Sequence, residues 1–101
     1  MKESALCPRL AKAMELIGKR WTALIIYQLL DGPQRFNAIE SALPISGRLL
    51  SERLKELEKE RVVERKVYSE VPIRVEYSLT EKGLSLEGAV REIEKWAQKW
   101  I

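Results

Sequence analysis

The sequence predicts an α+β domain, mainly α, in which four short helices lead into a two-stranded ribbon and a last helix closes the chain. Three observations carry this. Apolar residues recur at helical spacing through most of the first 59 residues. Two short runs follow that are rich in β-branched and aromatic residues, and the second alternates polar with apolar. Beyond Thr80 the helical period returns and persists to Trp100.

Pro8 suits a first helical turn, and Leu10, Met14 and Ile17 repeat at helical spacing up to Gly18, giving a helix over 8–18. Thr22 reads as the N-cap of a second helix, Ala23 to Leu30, ended by Asp31-Gly32-Pro33. Arg35 to Ser41 forms a third, with Phe36 and Ile39 as its apolar edge. Leu43-Pro44 stops it, because a residue before proline resists helical dihedrals. Ser46 caps a fourth helix, Gly47 to about Lys59, whose apolar stripe is Leu50, Leu54 and Leu57.

Strands are expected at Val62 to Tyr68 and Arg74 to Leu79, joined by a hairpin loop at Ser69 to Ile73. Pro72 falls in that loop, where no ladder donor is needed. Val75, Tyr77 and Leu79 alternate with Arg74, Glu76 and Ser78, so one face should be dry and the other wet. Thr80-x-x-Gly83 opens the final helix, over 81–100. Its stripe is Leu86, Ala89 or Val90, Ile93, Trp96 or Ala97, and Trp100.

The chain has 101 residues, one domain's worth spanning 1–101. At this length only about 60–70% of the unfolded surface is buried, so a second protomer has apolar area left to cover. There is no histidine, which removes the commonest general base and the commonest metal ligand. Cys7 is the one cysteine, too few for a paired-cysteine zinc site or an internal disulfide. Neither glycine-rich phosphate-binding motif occurs. The expectation is a binding module rather than an enzyme, with no metal and no cofactor. No apolar run reaches membrane-spanning length, and Met1 to Ala5 lack a secretory core, so a cytoplasmic protein is expected. Of the net +3, residues 1–74 carry +4 and the remainder −1, a balance that permits a polyanionic partner without requiring one.

Three short helices followed by a two-stranded ribbon is the winged helix-turn-helix order. Residues 35–59 form the helix-turn-helix and 62–79 the wing. With Leu50, Leu54 and Leu57 facing inward, Arg48, Ser51, Glu52 and Lys55 fall on the opposite side of the fourth helix. Arg48 lies in the first turn, where a recognition helix reaches base edges, and its planar fork suits guanine. Ser51 suits a base or a phosphate, and Lys55 a phosphate. Arg35, Ser46 and Gly47 complete this candidate surface, while Arg65, Lys66 and Arg74 flank the wing tip. Two bland alternatives stand beside this reading. One is a merely solvated helix face, which Glu52 favours, and the other is a set of wing cations that only guard a strand edge against aggregation.

The residues that make the chain recognisable start with Cys7-Pro8, Leu16-Ile17-Gly18-Lys19-Arg20-Trp21-Thr22 and Arg35-Phe36. Ile45-Ser46 and Leu50-Ser51-x-x-Leu54-x-x-Leu57-Glu58 follow. Pro72-Ile73-Arg74-Val75-Glu76-Tyr77-Ser78-Leu79-Thr80-x-x-Gly83 and Trp96 complete the set. Together they resemble the HxlR-type family of winged-helix transcriptional regulators, related to MarR-type regulators, over essentially the whole chain. The resemblance implies a homodimeric, DNA-binding repressor or activator, with DNA contact at Arg48 and Ser51. It also implies a candidate oxidant or electrophile sensor at Cys7, whose place at a helix start near Arg9 and Lys12 favours thiolate. The alternative for Cys7 is a small buried residue of a dimer interface. The sequence departs from the family pattern at Gly18-Lys19-Arg20-Trp21, where the family has Gly-Gly-Lys-Trp. It departs again at Arg61, where a glycine commonly precedes the wing; this second change bears on how the recognition helix ends.

Leu10, Met14, Leu86, Val90, Ile93, Trp96 and Trp100 are more apolar surface than one small wing covers. They predict a two-fold dimer through the helices at 8–18 and 81–100. Such a dimer sets two recognition helices ~34 Å apart on a pseudo-palindromic operator. Two rivals remain. One is a winged-helix protein-interaction module that never meets DNA, which Glu52, Glu56, Glu58 and Glu60 favour. The other is a hydrolase built on Glu56 and Glu60, which lacks any adjacent base or oxyanion donor.

Overall fold

Leu50, Leu54 and Leu57 lie on one side of a single helix and are almost completely buried, and the domain is assembled on that stripe. The computed structural model describes residues 7–101, so the reading of Met1 to Ala5 falls outside the described residues. The elements in order are α1 (Pro8–Ile17), α2 (Thr22–Leu29), α3 (Phe36–Ala42) and α4 (Gly47–Lys59). Strands β1 (Val63–Tyr68) and β2 (Arg74–Leu79) follow, then α5 (Glu81–Leu84) and α6 (Glu87–Trp100). The core joins the α4 leucines to Ile25, Ile26 and Leu29 of α2, Ile39 of α3, Ile45, and Val62, Val63 and Leu79 of the wing base.

The strands pair antiparallel, with Val63 opposite Leu79 and Tyr68 opposite Arg74. Gln34 adds a short bridge to the outer edge of β2, exchanging both backbone hydrogen bonds with Tyr77 at 2.9 and 2.8 Å. Its side chain donates to the Gln28 carbonyl at 2.7 Å and accepts from Gln28 Nε2 at 2.9 Å. The wing is thereby fastened to the end of α2, a tie with no signature in hydropathy.

Several boundaries differ from the sequence reading. Thr22 is not a cap. Trp21 holds the N-cap position at φ 80°, and Thr22 is the first helical residue, buried among the core side chains. Arg35 caps α3 from outside rather than starting it, its carbonyl accepting from the Ala38 and Ile39 amides. The last helix is two: Ser85 donates its hydroxyl to the Lys82 carbonyl at 2.5 Å, and the Leu86 amide turns back to Gly83. These bonds tighten and end α5, and α6 begins at Glu87 after two intervening residues. Nor is the ribbon cleanly wet on one side. Arg74, Glu76 and Ser78 are half-buried like Val75 and Tyr77; Arg74 stacks over the Tyr68 ring at 4.1 Å and donates to Glu76 at 3.3 Å.

The end of α4 explains the departure at position 61. The Val62 amide reaches back to the Leu57 carbonyl at 2.9 Å and the Arg61 amide to Glu58 at 3.0 Å, the paired bonds of a left-handed helix stop. Arg61 sits at φ 60°, a conformation glycine adopts without cost. Val62 is thus the last residue of that stop, and β1 begins one residue later than expected.

Candidate nucleic-acid interface

Ser46 begins the site. Its backbone is extended and its Oγ accepts from the Leu49 amide at 3.2 Å, so α4 starts where the sequence places it. Gly47 follows in close quarters, since a Cβ there would strike the Glu40 carboxylate. Arg48 is the first side chain to leave the surface freely, with 91% of it exposed. Glu52 lies one turn on, its Oε1 3.7 Å from Arg48 Nε. An exposed pair at this spacing is weak, so Glu52 orients Arg48 without immobilising it. Lys55 continues the face and is exposed, and Ser51 is half-buried beside it. Among the described residues no ion pair involves Lys55, Arg35 or Arg65.

The wing divides its cations differently from the sequence reading. Strand alternation puts Arg65 on the face of Val63 and Val67, and Lys66 on the face of Glu64 and Tyr68. Lys66 pairs with Glu64 at 3.4 Å. Arg74 is held inside the wing: it donates to Glu70 at 2.9 Å and Glu76 at 3.3 Å, and its Nε is buried without a hydrogen-bond partner. Its charge is largely spent on the hairpin. The tip beyond it is apolar, with Val71 and Ile73 exposed.

The terminal helices present a second surface. Neither α1 nor α6 buries a residue, although both are amphipathic. Leu10, Met14, Ile93, Trp96 and Trp100 stand exposed, while Leu86 and Val90 are half-buried against the chain's own core. Leu24, which the sequence reading passed over, and Tyr27 are exposed on α2 and line a cavity of about 350 Å³ with Val90, Ile93 and Ala97. Although α2 is strongly apolar, its Leu24 and Tyr27 remain uncovered in the protomer. Tyr27 donates to Glu94 at 2.5 Å, and that carboxylate pushes the phenol above its ordinary pKa. Cys7 is exposed at the N-cap of α1, where its carbonyl accepts from the Ala11 amide at 3.0 Å.

A helix capped at Ser46, an exposed face led by Arg48 and a hairpin wing define an architecture shared with known proteins. The model of HxlR-like helix-turn-helix proteins matches residues 16–101. The chain belongs to this family. It is 59% identical to the HTH-type transcriptional regulator YvaP of Bacillus subtilis, covering 100% of this chain and 94% of that protein. It is 47% identical to the HTH-type transcriptional regulator YodB of the same organism, covering 96% and 88%. The reduced form of YodB superposes with a TM-score of 0.84 at 48% identity, covering 94% of each chain. The redox regulator HypR in its oxidised form superposes at 0.87 with 39% identity, covering 92% and 96%. The winged helix-turn-helix of this HxlR-like chain is that of a DNA-binding transcriptional regulator, and its relatives are named as regulators rather than enzymes. Among the described residues no helix is long and apolar enough to cross a membrane.

Proposed function

We propose that the chain acts as a homodimer on a pseudo-palindromic duplex, with α4 in the major groove and the wing against backbone or minor groove. Arg48 reads a base, Ser51 and Lys55 contact base edge or phosphate, and Arg35, Arg65 and Lys66 add charge along the backbone. The observation that carries this reading is the freedom of Arg48 on the first turn of α4, directly opposite the buried leucines. Arg74 supports the wing rather than touching phosphate. Dimerisation through α1, α6 and the outer face of α2 draws support from the exposed apolar residues there.

Cys7 is the proposed redox switch. Its exposure at a helix start supports this, as do relatives described as a quinone-bound YodB and as reduced and oxidised forms of HypR. With one cysteine per chain, oxidation joins two protomers or captures a small thiol.

The deciding experiment is a salt series of binding by the reduced protein to a duplex selected in vitro, repeated after oxidation and with Cys7→Ser. Steeply salt-dependent binding to a palindrome, weakened by oxidation only when Cys7 is present, is the expected result. Failure to enrich any duplex even at low salt overturns the DNA reading, and unchanged affinity on oxidation overturns the switch.

A further inference from the structure

A polar clamp ties the recognition helix to the turn between α1 and α2. Glu56 lies on α4, beyond the residues placed against DNA. Its Oε2 accepts from Lys19 Nζ at 2.7 Å and its Oε1 from Arg53 Nη1 at 3.2 Å. Arg53 in turn donates through Nε to the Arg20 carbonyl at 3.3 Å, and its side chain is only 19% exposed. Lys12, Glu15, Lys59 and Glu60 line the same shallow cleft. Lys19 and Arg20 sit in a stiff turn. Gly18 stops α1 where a Cβ would strike the Met14 carbonyl, and Trp21 closes the turn at φ 80° under the Arg20 guanidinium, 4.9 Å away. The core alone sets α1 poorly, since that helix buries no residue and only Leu16 and Ile17 lean on the hydrophobic cluster.

We propose that Glu56 is a positioning residue for DNA recognition: it sets the pose of α4 against the Lys19–Trp21 turn. The proposal rests on the reading of α4 as the recognition helix. Two arguments separate it from simple support of the fold. Partly exposed ion pairs add little to stability, so the fold does not depend on this one. The sign of the effect on binding is also diagnostic. Removing a carboxylate from a DNA-facing helix strengthens binding if charge alone matters. Weakened binding therefore marks lost geometry.

The test uses the duplex selected by the wild-type protein and a scrambled duplex of equal length, with Glu56→Gln, Lys19→Met and the double variant. Glu56→Gln is expected to weaken binding to the selected duplex about three- to tenfold while leaving scrambled duplex unchanged or tighter. The melting temperature stays within a degree or so, and the double variant loses no more than the worse single. Equal or tighter binding of the selected duplex by Glu56→Gln overturns the proposal, as do additive losses or a fall in melting temperature that accounts for them. A wild-type protein that selects no duplex overturns the underlying reading of α4, which is a separate outcome.

Discussion

Thr80 Oγ1 donates to the Arg61 carbonyl at 2.6 Å and accepts from the Gly83 amide at 3.1 Å, so one hydroxyl joins the end of α4 to the start of α5. The Thr80 amide adds a bond to the Val62 carbonyl at 3.1 Å. Thr80→Ala removes a cap and leaves a carbonyl short of its partner. It should cost about 1–3 kcal/mol, read as a lower urea or thermal midpoint, with Thr80→Ser retaining most of it.

Arg61 itself is strained. A non-glycine residue in the left-handed region costs about 1–2 kcal/mol, offset in part by the greater unfolded-state freedom of glycine. Arg61→Gly should therefore stabilise the fold by roughly 0.5–1 kcal/mol, raising the melting temperature a few degrees. Arg61→Ala, which keeps the strain, should not.

These two positions show where the sequence was legible. The α4 stripe, the Ser46 cap, the extent of β2 and the Thr80 cap follow from periodicity and local hydrogen-bonding chemistry, and the structure places them as read. Trp21 and Ser85 did not show themselves, because a left-handed tryptophan and a hydroxyl turned onto its own helix are local choices settled by tertiary contact. The Gln28–Gln34–Tyr77 tie and the Glu56 clamp were equally silent. Polar side chains carry no period, and Glu56 reads in sequence as one more solvated carboxylate. Arg74 was legible as a wing residue but not as one consumed by Glu70 and Glu76, since pairing across a hairpin tip depends on how its loop folds.

The division of labour among the cations is measurable. Arg48→Ala should cost about 1–3 kcal/mol on the selected duplex and relax preference at one base pair. Lys55→Ala or Arg65→Ala should weaken all duplexes nearly alike and lower the salt slope by about one. Arg74→Ala should instead lower stability, because it leaves Glu70 and Glu76 facing each other across the wing.

The Glu56 carboxyl is held below the ordinary carboxylate range, chiefly by its hydrogen bond from Lys19, with charge from Lys19 and Arg53 adding and partial burial opposing. A depressed folded value gives a contribution present above the unfolded value and lost as pH falls through the folded one. Solvent screening keeps that contribution small. A side-chain carboxyl titration by NMR should place Glu56 below its ordinary glutamate value, and Lys19→Met should return it toward that value. An unshifted Glu56 in the wild-type protein would show that the clamp is open in solution.

Ile93 and Trp96 provide the test of assembly, because both are more than half exposed on a helix that buries nothing. Neither side chain belongs to the buried core, so the far-UV spectrum should be little changed by replacing either with glutamate. In an interface, however, each places a charge in a desolvated apolar patch, which is costly unless paired. Sedimentation equilibrium should show a wild-type dimer and a monomeric Ile93→Glu. Affinity for a palindrome should then collapse further than affinity for a half-site, because linked recognition helices bind the second half-site at high effective concentration. A wild-type monomer at micromolar concentration would leave the α1, α2 and α6 surface without its proposed partner. A dimer that survives both substitutions would place the interface elsewhere.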